Sequence, residues 1–442
     1  MAAREGSLEA PKRLPIEWQS SDYYDRAQVD AELHRVFDVC HGCRRCVSLC
    51  QSFPVLFDLV DNSPTLEVDG VSTADYGKVV EQCYLCDLCA ETKCPYLPPH
   101  EWAVDFPHLM LRAKAAKFAS EGAPWRDRLI TTTDFVLPVA SLPGVAPIVN
   151  ASLSNSFVRS QVDRFVGIHA DAPLPKFHTR TAKRRVGDTG AARSPVSTDR
   201  TSGQVAIYVT CYGNYNEPDV VADLAVLFDH NGIAVHIVKD DKCCGMPKLE
   251  LGDLQAVRRL KEHNIPRLIE LVDAGYDLTA PIPSCVLMYK QELPLLFTDD
   301  PDVARVGAAF FDPFEYLMLR NKAGLLKTDW SKGLGKVAYH AACHQRVQSM
   351  GSHTKDLLAM IPGTEVTVIE RCSGHDGTYA MKSETHELAM KIARPVIERV
   401  TNAAPDLYGS DCPMAGRLIE HGYDGTATAL HPISMVRRAY GL

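Results

Sequence analysis

The chain has 442 residues and a mass of 48.7 kDa, more than one ordinary hydrophobic core accommodates, which predicts two or three domains. Hydrophobic residues make up 46% and charged residues 23%, as in soluble globular proteins, which excludes a disordered chain. The net charge of −8 argues against a nucleic-acid-binding protein that relies on a broad basic surface.

Residues 1–30 form a predicted polar lead-in. They carry charges of both signs and no apolar stretch of the kind found in secretory signals. We therefore expect a cytoplasmic protein, and in a reducing compartment clustered cysteines favour metal or redox chemistry over disulfides.

Residues 31–118 contain eight of the 15 cysteines, arranged in two runs. The first run consists of Cys40, Cys43, Cys46 and Cys50, and the second consists of Cys83, Cys86, Cys89 and Cys94. Three cysteines at this spacing let each thiolate reach a separate iron, and in two-cluster ferredoxins the fourth ligand comes from the other run. The sequence therefore predicts a small helical domain with two [4Fe–4S] clusters, one on Cys40, Cys43, Cys46 and Cys94, the other on Cys83, Cys86, Cys89 and Cys50.

Structural zinc is the competing interpretation of these runs. Zinc sites usually take cysteines in pairs from two separate knuckles. Triplets followed by a fourth cysteine fit that pattern poorly, so the runs favour clusters.

Residues 119–186 are predicted to be a connecting segment that contacts a membrane or a partner. The uncharged run 135–158 is long enough to span a membrane, but Pro138, Pro143 and Pro147 would break a spanning helix. A peripheral contact at the cytoplasmic membrane face remains the alternative. Residues 187–204 are rich in Gly, Ser and Thr and predict an exposed linker.

Residues 205–330 alternate short β-branched runs with helical patterns, which predicts a parallel α/β unit. Cys211, Cys243, Cys244 and Cys285 each follow a predicted strand. Open α/β sheets place ligand sites at the carboxyl ends of their strands. We therefore expect these four thiolates to converge on one metal centre.

Residues 331–442 repeat this pattern in a degenerate form. Cys343, Cys372 and Cys412 follow the first-unit cysteines at offsets of 132, 129 and 127 residues, and Ser373 stands where the paired cysteine would be. The sequence leaves open whether this copy holds a metal or is kept for packing. It also leaves open whether the nearby His340, His344 and His375 are ligands, proton relays or buried histidines.

Together these strings resemble the heterodisulfide-reductase-related iron–sulfur oxidoreductases with CCG domains. Within them, the chain is similar to the C subunits of anaerobic glycerol-3-phosphate dehydrogenases and to rubrerythrin-associated homologues. The resemblance rests on the two cysteine runs, the middle segment 167–178 and the strings 243–250, 283–288 and 371–378.

The resemblance implies an electron-transfer subunit that passes electrons between a flavoprotein dehydrogenase and a membrane quinone. It also implies that the paired CCG units hold the terminal redox site. The full pattern closes each unit with C-x-x-C, whereas Met288 and Ala415 occupy the last position here. An ordinary iron–sulfur cluster on Cys211, Cys243, Cys244 and Cys285 is therefore what the resemblance implies for the first unit.

Two other functions stay open at this point. One is a soluble electron donor to a peroxide-reducing, rubrerythrin-type partner. The other is a zinc-stabilised, non-redox protein with a nucleophilic Cys343 beside His344. The sequence shows no phosphate-binding glycine motif, so we expect no flavin or nucleotide on this chain.

Overall fold

A computed structural model describes residues 6, 9–91, 94–190, 194–375 and 377–442. Parts of the predicted lead-in and linker, and Asp376 of the 371–378 string, lie outside these residues. The described chain contains a helical first part, a run of short helices and two α/β units.

The first part is built of helices around aromatic side chains. The helices are α1 (Arg26–Cys43), α2 (Ser52–Asp61), α3 (Tyr76–Val80), α4 (Leu88–Glu91) and α5 (Phe106–Glu121). Helix α1 begins where the Asp25 carboxylate accepts a hydrogen bond from the Gln28 amide at 2.8 Å. The rings of Phe53 and Phe106 pack 4.7 Å apart between the helices.

The predicted lead-in also contains buried apolar side chains. Ile16 and Trp18 are buried, and Trp18 Nε1 donates a hydrogen bond to the Leu296 carbonyl at 2.8 Å. The Ile16 amide donates to the Leu295 carbonyl at 2.9 Å. Two isolated apolar residues in a charged segment form no periodic pattern, so the sequence gives no sign that they are buried. They nevertheless attach this segment to the first α/β unit.

The connecting segment is mostly helical. Its helices are α6 (Trp125–Ile130), α7 (Thr133–Ala140), α8 (Val145–Leu153), α9 (Ser156–Val166) and α10 (Ala182–Arg185). Among the described residues no single helix is long and apolar enough to cross a membrane, although α7 and α8 together have the required length and composition and are bent by 99°.

The predicted linker is exposed only in part. Residues 194–200 are largely exposed, but the Thr189 amide donates to the Val235 carbonyl at 2.8 Å and Thr201 is buried. The two ends of the segment therefore pack on the first α/β unit.

The first unit is a parallel sheet with the strand order β2-β1-β3-β4. Its strands are β1 (Gln204–Ile207), β2 (Ala234–Ile237), β3 (Asp277–Thr279) and β4 (Phe310–Phe311). Its helices are α11 (Cys211–Tyr215), α12 (Pro218–His230), α13 (Met246–Leu251), α14 (Leu254–Asp273), α15 (Pro283–Leu287), α16 (Leu293–Leu296), α17 (Pro301–Ala309) and α18 (Pro313–Lys322), with a π-helical turn at Met288–Glu292.

The second unit repeats this order as β6-β5-β7-β8, again parallel. Its strands are β5 (Gly335–His340), β6 (Thr364–Ile369), β7 (Leu407–Ser410) and β8 (Thr428–Ala429). Its helices are α19 (Cys343–Arg346), α20 (His353–Ala359), α21 (His386–Ala403), α22 (Pro413–Gly422) and α23 (Pro432–Tyr440). The predicted duplication of a parallel α/β unit is therefore confirmed.

In both units the first strand lies between the second and the third. Strand β1 pairs with β2 and β3 (Ile207 opposite Ile237 and Thr279), and β5 pairs with β6 and β7 (His340 opposite Ile369 and Ser410). The chain therefore adds its next strands on opposite sides of the first strand. In doubly wound sheets this reversal opens a crevice at the carboxyl ends of the strands, beside the first strand.

Candidate metal centres

The first cysteine run lies at the end of α1 and in the turn that follows. Burial raises the pKa of the Cys40 thiol well above its ordinary value, and the nearby thiols of Cys94, Cys46 and Cys43 raise it further. Cys94 comes from the second run, and its own pKa is raised by burial and by the neighbouring Cys43 thiol. The structure thus brings the predicted fourth thiol to the first triplet.

The second run is gathered in the same crossed manner. Burial and the neighbouring Cys83 raise the pKa of Cys50 to about 12. The pKa of Cys89 is raised well above its ordinary value by burial and by the thiols of Cys86, Cys50 and Cys83. Cys50, from the first run, therefore lies with the second triplet.

Two cysteines of the second α/β unit also approach this second group, a contact that was not predicted from the sequence. Cys343 and Cys372 both contribute to the raised pKa of Cys86, after burial, and Cys372 also acts on Cys50. Cys86 and Cys372 border one cluster of buried side chains around Tyr84 and Tyr379. No sequence signal joins them, because the contact is between separate domains.

The four cysteines of the first unit meet beyond the carboxyl ends of β1, β2 and β3. The Sγ atoms of Cys211 and Cys243 are 4.0 Å apart. The thiol of Cys244 lies in hydrogen-bonding contact with those of Cys243 and Cys285, and Cys285 also acts electrostatically on Cys211. All four predicted thiols of this unit are therefore together.

The sulfur of Cys243 is the best stabilised anion of this group. Hydrogen bonds from Cys211, Cys244 and the Gly245 amide, together with the nearby Thr133 hydroxyl, lower the pKa of Cys243 well below its ordinary value, against the effect of its burial. The Gly245 nitrogen lies 3.5 Å from the sulfur and has a φ of 102°, a conformation that side chains disfavour.

Helix α7 connects this site to the connecting segment. Its first residues are Thr133, whose hydroxyl lies near Cys243, and Asp134, whose carboxylate accepts a hydrogen bond from the Cys243 amide at 2.8 Å. Burial, followed by the charge of Cys243, raises the pKa of Asp134 to about 6. The side of the first site is therefore formed by a helix outside the α/β unit.

The second unit keeps part of this geometry. The Gly374 amide nitrogen lies 3.4 Å from the Cys372 sulfur, and Gly374 has a φ of 76°. Ser373 is buried at the position that corresponds to Cys244. Cys412 precedes α22 and acts on the Tyr212 hydroxyl of the first unit.

Two of the nearby histidines are buried and satisfied. His340 Nδ1 is 2.8 Å from the Ser410 hydroxyl, and its Nε2 is 2.8 Å from the Arg371 carbonyl. His344 Nδ1 lies 2.8 Å from the Ser284 hydroxyl oxygen, and its Nε2 lies 3.3 Å from the Leu85 carbonyl oxygen. Both ring nitrogens of His344 are thus engaged elsewhere, which leaves it no nitrogen to activate Cys343.

A buried ion-pair network beside the second run was also not predicted from the sequence. Arg13 donates to Asp87 and Asp105, each at 2.8 Å, and His108 Nε2 lies 3.2 Å from a Glu292 carboxylate oxygen. Burial raises the pKa of Asp87 to about 7. Burial alone would lower the pKa of His108, but the neighbouring Asp105 carboxylate raises it to about 10. The network joins the lead-in, the helical part and the first α/β unit.

The thiol groups fit metal clusters chemically. All 15 cysteines are free thiols, and the thiolate is the form that binds iron or zinc. Burial and neighbouring thiols oppose thiolate formation at Cys40, Cys86, Cys89, Cys211 and Cys244, whereas Cys243 is stabilised as a thiolate. A bound cluster would compensate the unfavourable effects.

Comparison with known proteins supports this interpretation. The sequence model of the family of CCG cysteine-rich domains matches residues 205–290 and 337–414 of this chain. The C subunit of anaerobic glycerol-3-phosphate dehydrogenase from Escherichia coli K12 is 27% identical over 341 residues, which cover 75% of this chain and 81% of that protein. Lactate utilization protein A of an Exiguobacterium species is 29% identical over 245 residues, covering 53% of this chain and 95% of that protein.

Both matched ranges contain the strands whose ends carry the cysteines of one α/β unit. The resemblance predicted from the sequence is thus confirmed. The chain contains two CCG cysteine-rich domains and is homologous to the C subunit of anaerobic glycerol-3-phosphate dehydrogenase and to lactate utilization protein A.

Proposed function

We propose that this protein carries single electrons between a flavoprotein dehydrogenase and a quinone. The observation that supports it most is the crossed gathering of thiols, in which Cys94 lies with the first triplet and Cys50 with the second. A [4Fe–4S] cluster needs four thiolates at one place and exchanges one electron at a potential set by its surroundings.

In this proposal residues 31–118 form a two-cluster ferredoxin-like domain. A third cluster is held by Cys211, Cys243, Cys244 and Cys285 in the first CCG unit. Cys343, Cys372 and Cys412 are further cofactor-binding cysteines of the second unit in this proposal, without a fourth [4Fe–4S] cluster, and Cys343 and Cys372 lie beside the second ferredoxin-type cluster. The relationship to one subunit of a glycerol-3-phosphate dehydrogenase supports a flavoprotein dehydrogenase as the electron donor.

The metal content tests the cluster assignment. Anaerobically purified protein should contain about twelve iron atoms and as much acid-labile sulfide per chain, as three [4Fe–4S] clusters require. Zinc in place of iron would instead support the zinc-stabilised alternative and overturn the proposal.

Exposed hydrophobic side chains support a contact with the membrane. Among the described residues, eight of the large hydrophobic side chains that are exposed lie on or between α6, α7, α8 and α9: Trp125, Leu129, Phe135, Val139, Leu142, Ile148, Phe157 and Phe165. Soluble proteins rarely expose so many large apolar groups in one segment, and such surfaces mark protein or membrane contacts. Because α7 also reaches Cys243, a membrane held against these helices would lie close to the first CCG site.

Sedimentation with liposomes tests the membrane contact. The wild-type protein should sediment with vesicles, and Phe135→Asn combined with Phe157→Asn should weaken binding by at least about tenfold, because each buried aromatic side chain contributes roughly 1.5–3 kcal/mol. Val226→Asn, on the exposed face of α12, is the matched control and should bind like the wild type. A wild-type protein that stays in solution would favour the soluble donor to a rubrerythrin-type partner.

A further inference from the structure

A cleft of about 380 Å³ opens beside the exposed hydrophobic helices. It lies between the end of α8, the start of α9, the loop 170–174 and the end of α22. Leu153 and Leu174 supply apolar lining, while Arg159, Asp171 and His421 supply polar lining. Its size and mixed lining are typical of a small-molecule site.

Arg159 gives this cleft an unusual donor. Its side chain is 5% exposed, and its Nε and Nη2 donate to the carbonyls of Ala170, His169 and Ala172 at 2.6–2.8 Å. Its Nη1 is buried with no hydrogen-bond partner in the described part of the chain. An unsatisfied buried donor is costly, so an acceptor oxygen that reaches Nη1 from the cleft would be favourable while the three carbonyl hydrogen bonds are kept.

The charges of the lining favour a neutral ligand. Burial lowers the pKa of Arg159, whereas the nearby Asp171 carboxylate acts in the opposite direction. Because a carboxylate and a guanidinium line the same cleft, a phosphate or carboxylate would meet repulsion as well as attraction. A neutral carbonyl oxygen can accept from Arg159 without that penalty.

Packed contacts join the cleft to the second group of cysteines. The His169 ring stacks on His386 with centroids 4.0 Å apart, and His386 Nδ1 lies 2.8 Å from the Ala380 carbonyl. The adjacent Tyr379 ring packs on Tyr84 at 4.5 Å. These two tyrosines belong to the buried cluster that Cys86 and Cys372 border.

We infer that this cleft binds the ring of a quinone, an inference that rests on the proposed function and assigns its acceptor site. One quinone carbonyl accepts a hydrogen bond from Arg159, and the apolar tail lies along the exposed faces of α8 and α9. Reduction of the quinone needs two electrons, which a cluster held by Cys83, Cys86, Cys89 and Cys50 would supply one at a time. The quinone also takes two protons from solvent, for which the exposed imidazole of His421 at the cleft is a relay, and leaves as quinol.

The test uses the complete, cluster-loaded protein and duroquinone, a fully substituted quinone that does not add to thiols. Leu153→Trp and, separately, Leu174→Trp fill the cleft without removing a polar group. We expect each to lower the ratio of the duroquinone reoxidation rate to the ferricyanide reoxidation rate at least tenfold, and to raise the duroquinone dissociation constant in equilibrium dialysis at least tenfold. Val226→Trp, away from the cleft, should leave both values unchanged.

The outcomes separate the two proposals. If duroquinone reoxidises the wild type but both Trp variants keep its rate ratio and dissociation constant, the cleft is not the quinone site and the proposed function stands. If ferricyanide reoxidises the reduced wild type and duroquinone does not, the quinone link itself fails and this inference fails with it. Iron content and the EPR spectrum of each variant show that its clusters are intact.

Discussion

At the scale of single residues, buried polar groups in the second unit set how the fold responds to acid. His340 is 3% exposed, and burial lowers its pKa to about 4. The unfolded chain binds a proton at this residue below about pH 6.5, whereas the folded chain does so only near pH 4. Stability from His340 is therefore complete above pH 6.5 and is lost as the pH falls towards 4.

This predicts a measurable loss of stability in mild acid. Between pH 7.5 and pH 5, His340 should lower the free energy of unfolding by about 2 kcal/mol. Urea denaturation of His340→Asn at both pH values should show a loss smaller by about that amount. His421→Asn, which changes an exposed histidine, should retain the wild-type loss, and an equal loss in His340→Asn would contradict the assignment.

Gly374 is a second residue whose role depends on local geometry. A Cβ there would lie 2.1 Å from the Ala389 carbonyl oxygen, at a φ of 76°. Gly374→Ala must therefore move α21 or the Cys372 loop, and we expect a cost of about 3 kcal/mol or more. Gly324→Ala, with a φ of 71° and open space around it, should cost only about 1 kcal/mol. Thermal and urea unfolding of both variants distinguish a steric requirement from conformational preference alone.

At the scale of elements, short segments outside the sheets connect the functional groups. Helix α7 exposes Phe135 and Val139 while its first turn contacts Cys243. The lead-in likewise inserts Arg13 between Asp87, next to Cys86, and Asp105 at the start of α5. Such segments fix the positions of the thiol groups relative to one another.

The Arg13 contact predicts a large effect from one substitution. Arg13→Met leaves the buried Asp87 without its cation and Asp105 with His108 alone, and should lower the free energy of unfolding by about 3 kcal/mol. Arg26→Met removes an exposed pair with Asp30 and should cost less than about 0.5 kcal/mol. Equal effects in urea denaturation would show that the Arg13 network does not secure the lead-in.

At the scale of the whole molecule, the crossed arrangement of the two runs predicts which substitutions share a phenotype. Cys94→Ala should remove the same EPR signal as Cys40→Ala, and Cys50→Ala the same signal as Cys83→Ala, each with a loss of roughly four iron atoms. If Cys50→Ala instead removes the signal lost in Cys40→Ala, each run holds its own cluster and the crossed assignment is wrong.

The sequence predicted the parts of this fold that depend on local pattern. β-branched runs predicted β1 and β5, and the alternation with helices predicted parallel sheets in the described chain. The two-residue strands β4 and β8 were missed, because two residues carry no periodicity. The helices of 125–166 were also missed, since their exposed hydrophobic faces and prolines do not match the pattern of a helix that packs on a core.

The candidate site, like the fold, has parts that were predictable from the sequence and parts that were not. The gathering of the four thiols in the first unit was predictable from their positions after strands. The approach of Cys343 and Cys372 to Cys86, and the contact of Thr133 with Cys243, depend on how separate segments dock. Docking is determined by shape and by buried pairs such as Arg13 with Asp87, which leave no recognisable spacing in the sequence.

The loop around Ser373 offers a starting point for protein engineering. The Gly374 amide still points at the Cys372 sulfur although the neighbouring donor is a hydroxyl. Exchanging that one oxygen for sulfur, as Ser373→Cys, would give the second unit a cysteine at each position that corresponds to one of the four in the first unit. The duplicated halves of one polypeptide would then allow a direct comparison of how environment tunes two chemically identical sites.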